Sequence, residues 1–169
     1  EYEKLRKSIA TSLLISIALG IVFTIGSLIF MKSIINLLQT PKDVYYLAVD
    51  YLKICFLGIT FQLLYNIGTA ILRALGNTKD PLYFLVFSCV LNLILDILFI
   101  VYFGWGVKGA AIATLVSQIL ATLLVLWKIM RLDDECRISI KQIRIYKGYI
   151  EDIFLVGIPA GLQAIFMSI

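Results

Sequence analysis

Residues 82–103 read LYFLVFSCVLNLILDILFIVYF, a run long enough to cross a bilayer, in which Asp96 is the only charged residue. A helix rises 1.5 Å per residue, so about 20 apolar residues span the roughly 30 Å of hydrocarbon. It also satisfies its own backbone groups, which an open sheet in lipid cannot do. The stretch is therefore read as a transmembrane helix, and the acid inside it as the residue to explain. A carboxylate in the middle of a span costs about 2.5–3.5 kcal/mol on insertion scales, and such a cost is seldom retained without a use. Asn92 and Ser88 precede Asp96 by four and eight residues. The three share one helical face, which should look toward protein or water and away from lipid.

Three more runs have the same character, at 8–30, 47–72 and 109–127, and a fifth begins near Ile153 and is still running at Ile169. Turn-forming clusters separate them: Thr40-Pro41, then Gly76 to Pro81, then Gly104-Trp105-Gly106. Of the 169 residues, 61% are hydrophobic and 15% charged, and the mean hydropathy is +0.97. A water-soluble domain of this size needs more polar surface than that. The fold class that follows is an all-α membrane protein, a polytopic bundle of transmembrane helices. The chain opens on Glu1 without a methionine and ends inside an apolar run, so a longer polypeptide is expected.

Polar residues inside the other spans extend the face defined by Asp96. Tyr51, Gln62 and Asn66 lie in the second span, and Thr114, Gln118 and Thr122 recur at four-residue steps in the fourth. Small residues, among them Gly58, Gly68, Gly109, Ala110, Ala111 and Ala113, would let these helices approach closely. Gln62, Asn66 and Gln118 are candidates for a substrate cavity, with interhelical hydrogen bonding as the equal alternative. Asn92, Tyr51 and Thr114 could add oxygens to Asp96, and such a set suits a proton or a sodium ion without choosing between them. The chain has no histidine, so proton chemistry falls to carboxylates. Cys55, Cys89 and Cys136 are widely spaced and suggest neither a disulfide framework nor a metal site.

Alternating loops from the first span puts eleven of the fifteen basic residues on one side of the membrane. Short basic loops mark the cytoplasm, so loops 73–81 and 128–152 are predicted cytoplasmic. From 133 to 152, isoleucines interleave with Lys141, Arg144 and Lys147, as in an amphipathic connector lying along the interface. The net charge of +4 serves topology and lipid head groups, and calls for no nucleic-acid partner. Gly104 to Gly109 matches G-x-G-x-x-G but follows no strand, so it carries no dinucleotide reading. Gly157 and Gly161 form a G-x-x-x-G helix-contact motif. No nucleophile, base and orienting group recur at usable spacing, so no enzyme is expected.

Three segments, Leu72-Arg73-Ala74-Leu75-Gly76-Asn77-Thr78-Lys79-Asp80-Pro81, Leu91-Asn92-Leu93-Ile94-Leu95-Asp96 and Gly104 to Thr114, resemble in order and spacing the multidrug and toxic compound extrusion (MATE) exporters. The resemblance covers nearly the whole chain. It implies a twelve-helix, two-lobe fold in which the four spans are the third to sixth helices. Residues 1–132 would then be most of the N-terminal lobe, 133–152 the inter-lobe connector, and 153–169 the start of the C-terminal lobe. It also implies alternating access, with proton or sodium entering in exchange for amphipathic, often cationic compounds leaving across the cell membrane, and no cofactor beyond that ion. Carried onto matching positions, Asn92 and Asp96 fall on the family's N-lobe cation pair, Tyr51 on a nearby tyrosine and Thr114 on its threonine. The remaining acid of that site belongs to the family's first helix, which this chain does not contain. Met167 stands where some members have a glutamate in the seventh helix. Two other functions stay open: a lipid-linked oligosaccharide flippase of the same wider superfamily, and a membrane scaffold that transports nothing.

Overall fold

The computed structural model describes residues 2–37 and 39–132. The expected connector at 133–152, the helix from 153, the Gly157/Gly161 motif and Met167 lie outside the described residues. Four long helices follow one another: α1 (Tyr2–Leu37), α2 (Tyr45–Ala74), α3 (Lys79–Asp96) and α4 (Gly106–Met130). A short 3-10 turn, Lys42–Val44, leads into α2, and a π-helical segment, Ile97–Tyr102, continues α3. All four spans are long and apolar enough to cross a membrane.

Helices α1, α2 and α4 outrun at both ends the apolar stretches that marked them, α1 starting before residue 8 and ending after residue 30. Its 36 residues make about 54 Å of helix, well beyond the hydrocarbon thickness. Hydropathy locates the part that lipid can cover, whereas charged residues such as Lys4 and Arg6 continue a helix readily into the interface. The third span departs further from expectation, because it is not one α-helix through residue 103. After Asp96 the ladder widens, and Phe103 N–H donates to the carbonyl five residues back, Leu98 O, at 3.0 Å.

The turns are set by local chemistry. At the end of α2, Gly76 has φ +82°. Its N–H bonds Arg73 O at 3.0 Å, while Asn77 N–H bonds Leu72 O at 2.9 Å, the paired pattern that a left-handed residue makes at a helix C-terminus. Asn77 then turns the chain into α3, accepting from Asp80 N–H at 3.1 Å and donating to Asp80 Oδ2 at 2.6 Å. Between α1 and α2 the left-handed residue is Gln39, at φ +49°.

Packing runs α1 on α2, α2 on α4, and α3 on α4, while α2 and α3 scarcely touch. The contacts use small residues, as membrane helices do when apolar surface alone gives no preference over lipid. A Cβ on Gly20 would lie 2.8 Å from Thr60 Cα, so glycine lets α1 meet the α2 backbone. One turn on, Thr24 donates to Phe56 O at 3.1 Å. Between α2 and α4, the Thr122 hydroxyl reaches Phe61 O at 2.9 Å while also facing Gln118 O at 2.7 Å. Thr122→Val keeps the shape and removes that hydroxyl, so it should cost about 0.6 kcal/mol and at most about 1.7, read as a small fall in apparent Tm. Ile9, Leu13, Leu64, Leu72, Val125 and Ile129 form a buried cluster at one end of the bundle. Lys128 Nζ bonds Asp80 Oδ2 there at 2.7 Å. The amino end of α1, the α2–α3 turn and the carboxyl end of α4 therefore gather at one pole, which is where Lys4, Arg73, Lys79 and Arg131 lie.

Candidate functional site

Asp96 is the last residue of the α-helical part of α3. Its Oδ1 is buried and has no hydrogen-bond partner among the described residues. One turn earlier, Asn92 Nδ2 donates to Thr114 Oγ1 at 3.4 Å, and the Thr114 hydroxyl itself donates to Ala110 O at 3.0 Å. A further turn down, Ser88 donates to Ser117 O at 3.4 Å. The face at 88, 92 and 96 thus runs down α4, with the acid at the end remote from the basic pole. Tyr51, on α2, lies within electrostatic reach of Asp96 and of Cys55, its neighbour one turn along. The structure therefore brings Asp96, Asn92, Thr114 and Tyr51 to one end of the bundle, where α2 and α3 both rest on α4. Their oxygens are carboxylate, amide and hydroxyl, a set that suits a proton or a hard cation.

The three cavity candidates separate. Gln118 turns toward α2, with its Oε1 2.5 Å from where a Cβ on Gly58 would stand, so it fills the notch the glycine leaves. Gln62 and Asn66 are exposed and pair only loosely with each other, at 3.5 Å. Nor does the α4 stripe meet a single neighbour. Four residues turn a helix by about 400°, so each step drifts about 40°. Thr114 consequently meets α3, while Gln118 and Thr122 meet α2.

Several features here were not read from the sequence. Lys108 Nζ bonds Asp50 Oδ2 at 2.8 Å, tying the start of α4 to α2 one residue before Tyr51. Both are charges near helix ends, and only the helix arrangement pairs them. The π-helical segment starts immediately after Asp96, and such wide turns occur often at functional sites. A Cβ on Gly109 would be 3.1 Å from Phe99 O, so α4 crosses the π-helical backbone itself. Gly104 and Gly106, at φ +67° and +55°, make the tight turn expected of them. That turn stacks Trp105 on Phe99, with ring centroids 5.1 Å apart.

A bundle of long apolar helices, with a buried carboxylate oxygen inside one of them that has no partner among the described residues, is the architecture of a polytopic membrane protein. The MatE family model matches residues 1–98. The chain belongs to the MatE family. It is 38% identical over 146 residues to the probable multidrug resistance protein YpnP of Bacillus subtilis, covering 86% of this chain and 32% of that protein. With the multidrug export protein MepA of Staphylococcus aureus it shares 32% identity over 168 residues, 99% of this chain and 37% of MepA. Among solved structures, an outward-facing multidrug resistance MATE family transporter of the MOP superfamily superposes with a TM-score of 0.84 at 29% identity, covering 96% of this chain and 36% of that one. The chain therefore spans about a third of the length of the curated relatives it matches, and its fold is that part of the polytopic MATE transporter fold.

Proposed function

We propose that the chain is part of a cation-coupled antiporter of the cell membrane that exports amphipathic, often cationic organic compounds by alternating access. The buried, unpartnered Oδ1 of Asp96 carries this reading. A buried carboxylate oxygen with no donor among the described residues keeps its lone pairs open to a proton or a sodium ion. Asn92, Thr114 and Tyr51 serve as its neighbours, and the exposed Gln62 and Asn66 belong with the compound's path. The relatives' names support the class of cargo. The exporter supplies no chemistry of its own beyond binding the ion and the compound differently in two conformations. The basic pole, with loops 73–81 and 128–152, faces the cytoplasm in this reading.

Reconstitution of the full-length protein in vesicles tests it. A fluorescent lipophilic cation should move against its gradient when a proton or a sodium gradient is imposed in the opposite sense, and the effective gradient names the ion. Movement that responds to neither gradient overturns the proposal.

A further inference from the structure

Away from Asp96, α4 carries a stripe of large apolar side chains, Leu120, Leu123, Leu124 and Trp127. With Phe87 of α3 they line an open cavity of about 350 Å³. Leu123 is 55% exposed and Trp127 47%. The opposite face of α4, with Ala113, Ser117, Ala121 and Val125 buried, packs on its neighbours. It has small residues for close approach and hydroxyls for hydrogen bonds. The Leu–Trp stripe has neither, and Leu120, Leu123 and Trp127 stay exposed, so no helix among the described residues covers it. From Leu120 to Trp127 it runs seven residues, about 10 Å of helix, a depth that fits within one leaflet.

Its upper end is basic. The guanidinium of Arg131, an exposed residue, lies 4.5 Å from the centroid of the Trp127 ring. The Lys128–Asp80 bridge draws the start of α3, and with it Lys79, to the same pole. That bridge also neutralises Asp80, leaving Arg131 and Lys79 as uncompensated charge among the described residues around the mouth. An aromatic ring topped by a guanidinium is the arrangement found at the level of lipid head groups.

We infer that the cleft between α3 and α4 binds an anionic phospholipid, one acyl chain lying along Leu120 to Trp127 and the phosphate held by Arg131. The site is separate from Asp96 and does not depend on the transport reading. Asp133, Asp134 and Glu135 follow Arg131 in sequence and add three negative charges to this stretch of the chain.

Quenching of Trp127 by lipids with brominated acyl chains tests the site in the full-length protein, the Trp127→Phe variant identifying the signal that belongs to this ring. Brominated phosphatidylglycerol should quench at about fivefold lower mole fraction than brominated phosphatidylcholine, the ratio one basic side chain contributes beside an anionic lipid surface. Arg131→Gln should erase the difference, and neutralising residues 133–135 should widen it. Equal quenching by both lipids in the wild type would mean unselective lipid contact and overturn the inference. Absence of quenching by either, which a helix of the protein's own lying over the cleft would cause, overturns it too, as does a preference that survives Arg131→Gln.

Discussion

Asp96→Asn in the full-length protein should reduce gradient-driven transport of an organic cation to the level of protein-free vesicles, while the apparent Tm stays unchanged or rises. Asparagine matches aspartate in size and can still hydrogen-bond, but it carries no charge and cannot exchange a proton under physiological conditions. A proton or sodium ion then has nothing at this position to bind in one conformation more tightly than in the other. Coupling requires such a difference, because a ligand shifts a conformational equilibrium only by its differential affinity. The stability arm follows from the same geometry. Oδ1 of Asp96 is buried and has no donor among the described residues, and a polar atom buried without a hydrogen bond weighs against the folded bundle. A residue retained only to hold helices together would behave oppositely, losing stability and transport in parallel. Transport driven at the wild-type rate by the variant would remove Asp96 from the mechanism.

The parts of this fold that were legible in the sequence are those that one helix determines alone. The four spans showed because hydropathy is a property of consecutive residues, and the face of Ser88, Asn92 and Asp96 showed because a four-residue step is nearly one turn. The helix ends did not show, since an apolar run reports where lipid lies and not where i→i−4 bonding stops. What two helices decide together was hidden. The Asp50–Lys108 and Asp80–Lys128 pairs join residues more than forty positions apart, and no spacing announces them. The π-helical segment lies where Gly109 crosses Phe99, a contact that needs both the turn at Gly104 and the approach of α4. Tyr51 and Thr114 were legible as polar residues inside spans that could add oxygens to Asp96, but only the arrangement of the bundle brings them to its end. Gln62 and Asn66 illustrate the opposite failure. A polar residue in a span signals a need for a partner but not which neighbour supplies it, and in the described residues these two find mainly each other.

Gly68→Ala should destabilise the bundle by about 1–3 kcal/mol, the usual cost of adding a methyl to a filled interface, and Val125→Ala should restore much of the loss. The new Cβ would overlap Cγ1 of Val125, whereas Val125 Cβ stands 3.6 Å away, an ordinary contact. Truncating Val125 therefore removes the clashing atom and leaves the rest of the seam in place. Val125 is fully buried beside Ile129, Leu64 and Leu72, so Val125→Ala alone should be destabilising through the cavity it opens. The double variant should consequently be more stable than the sum of the singles, the sign of direct coupling between two contacting positions. Gly20→Ala provides the contrast. Its Cβ would sit 2.8 Å from Thr60 Cα, a backbone atom that no substitution at residue 60 removes. Thr60→Ala removes only Cγ2, one of the two side-chain atoms at 3.0 Å, and keeps Cβ, so it should rescue Gly20→Ala poorly. Thermal denaturation of the purified full-length variants in one detergent measures both cycles. A Gly68→Ala/Val125→Ala pair that is merely additive would mean that α2 and α4 do not meet at this notch.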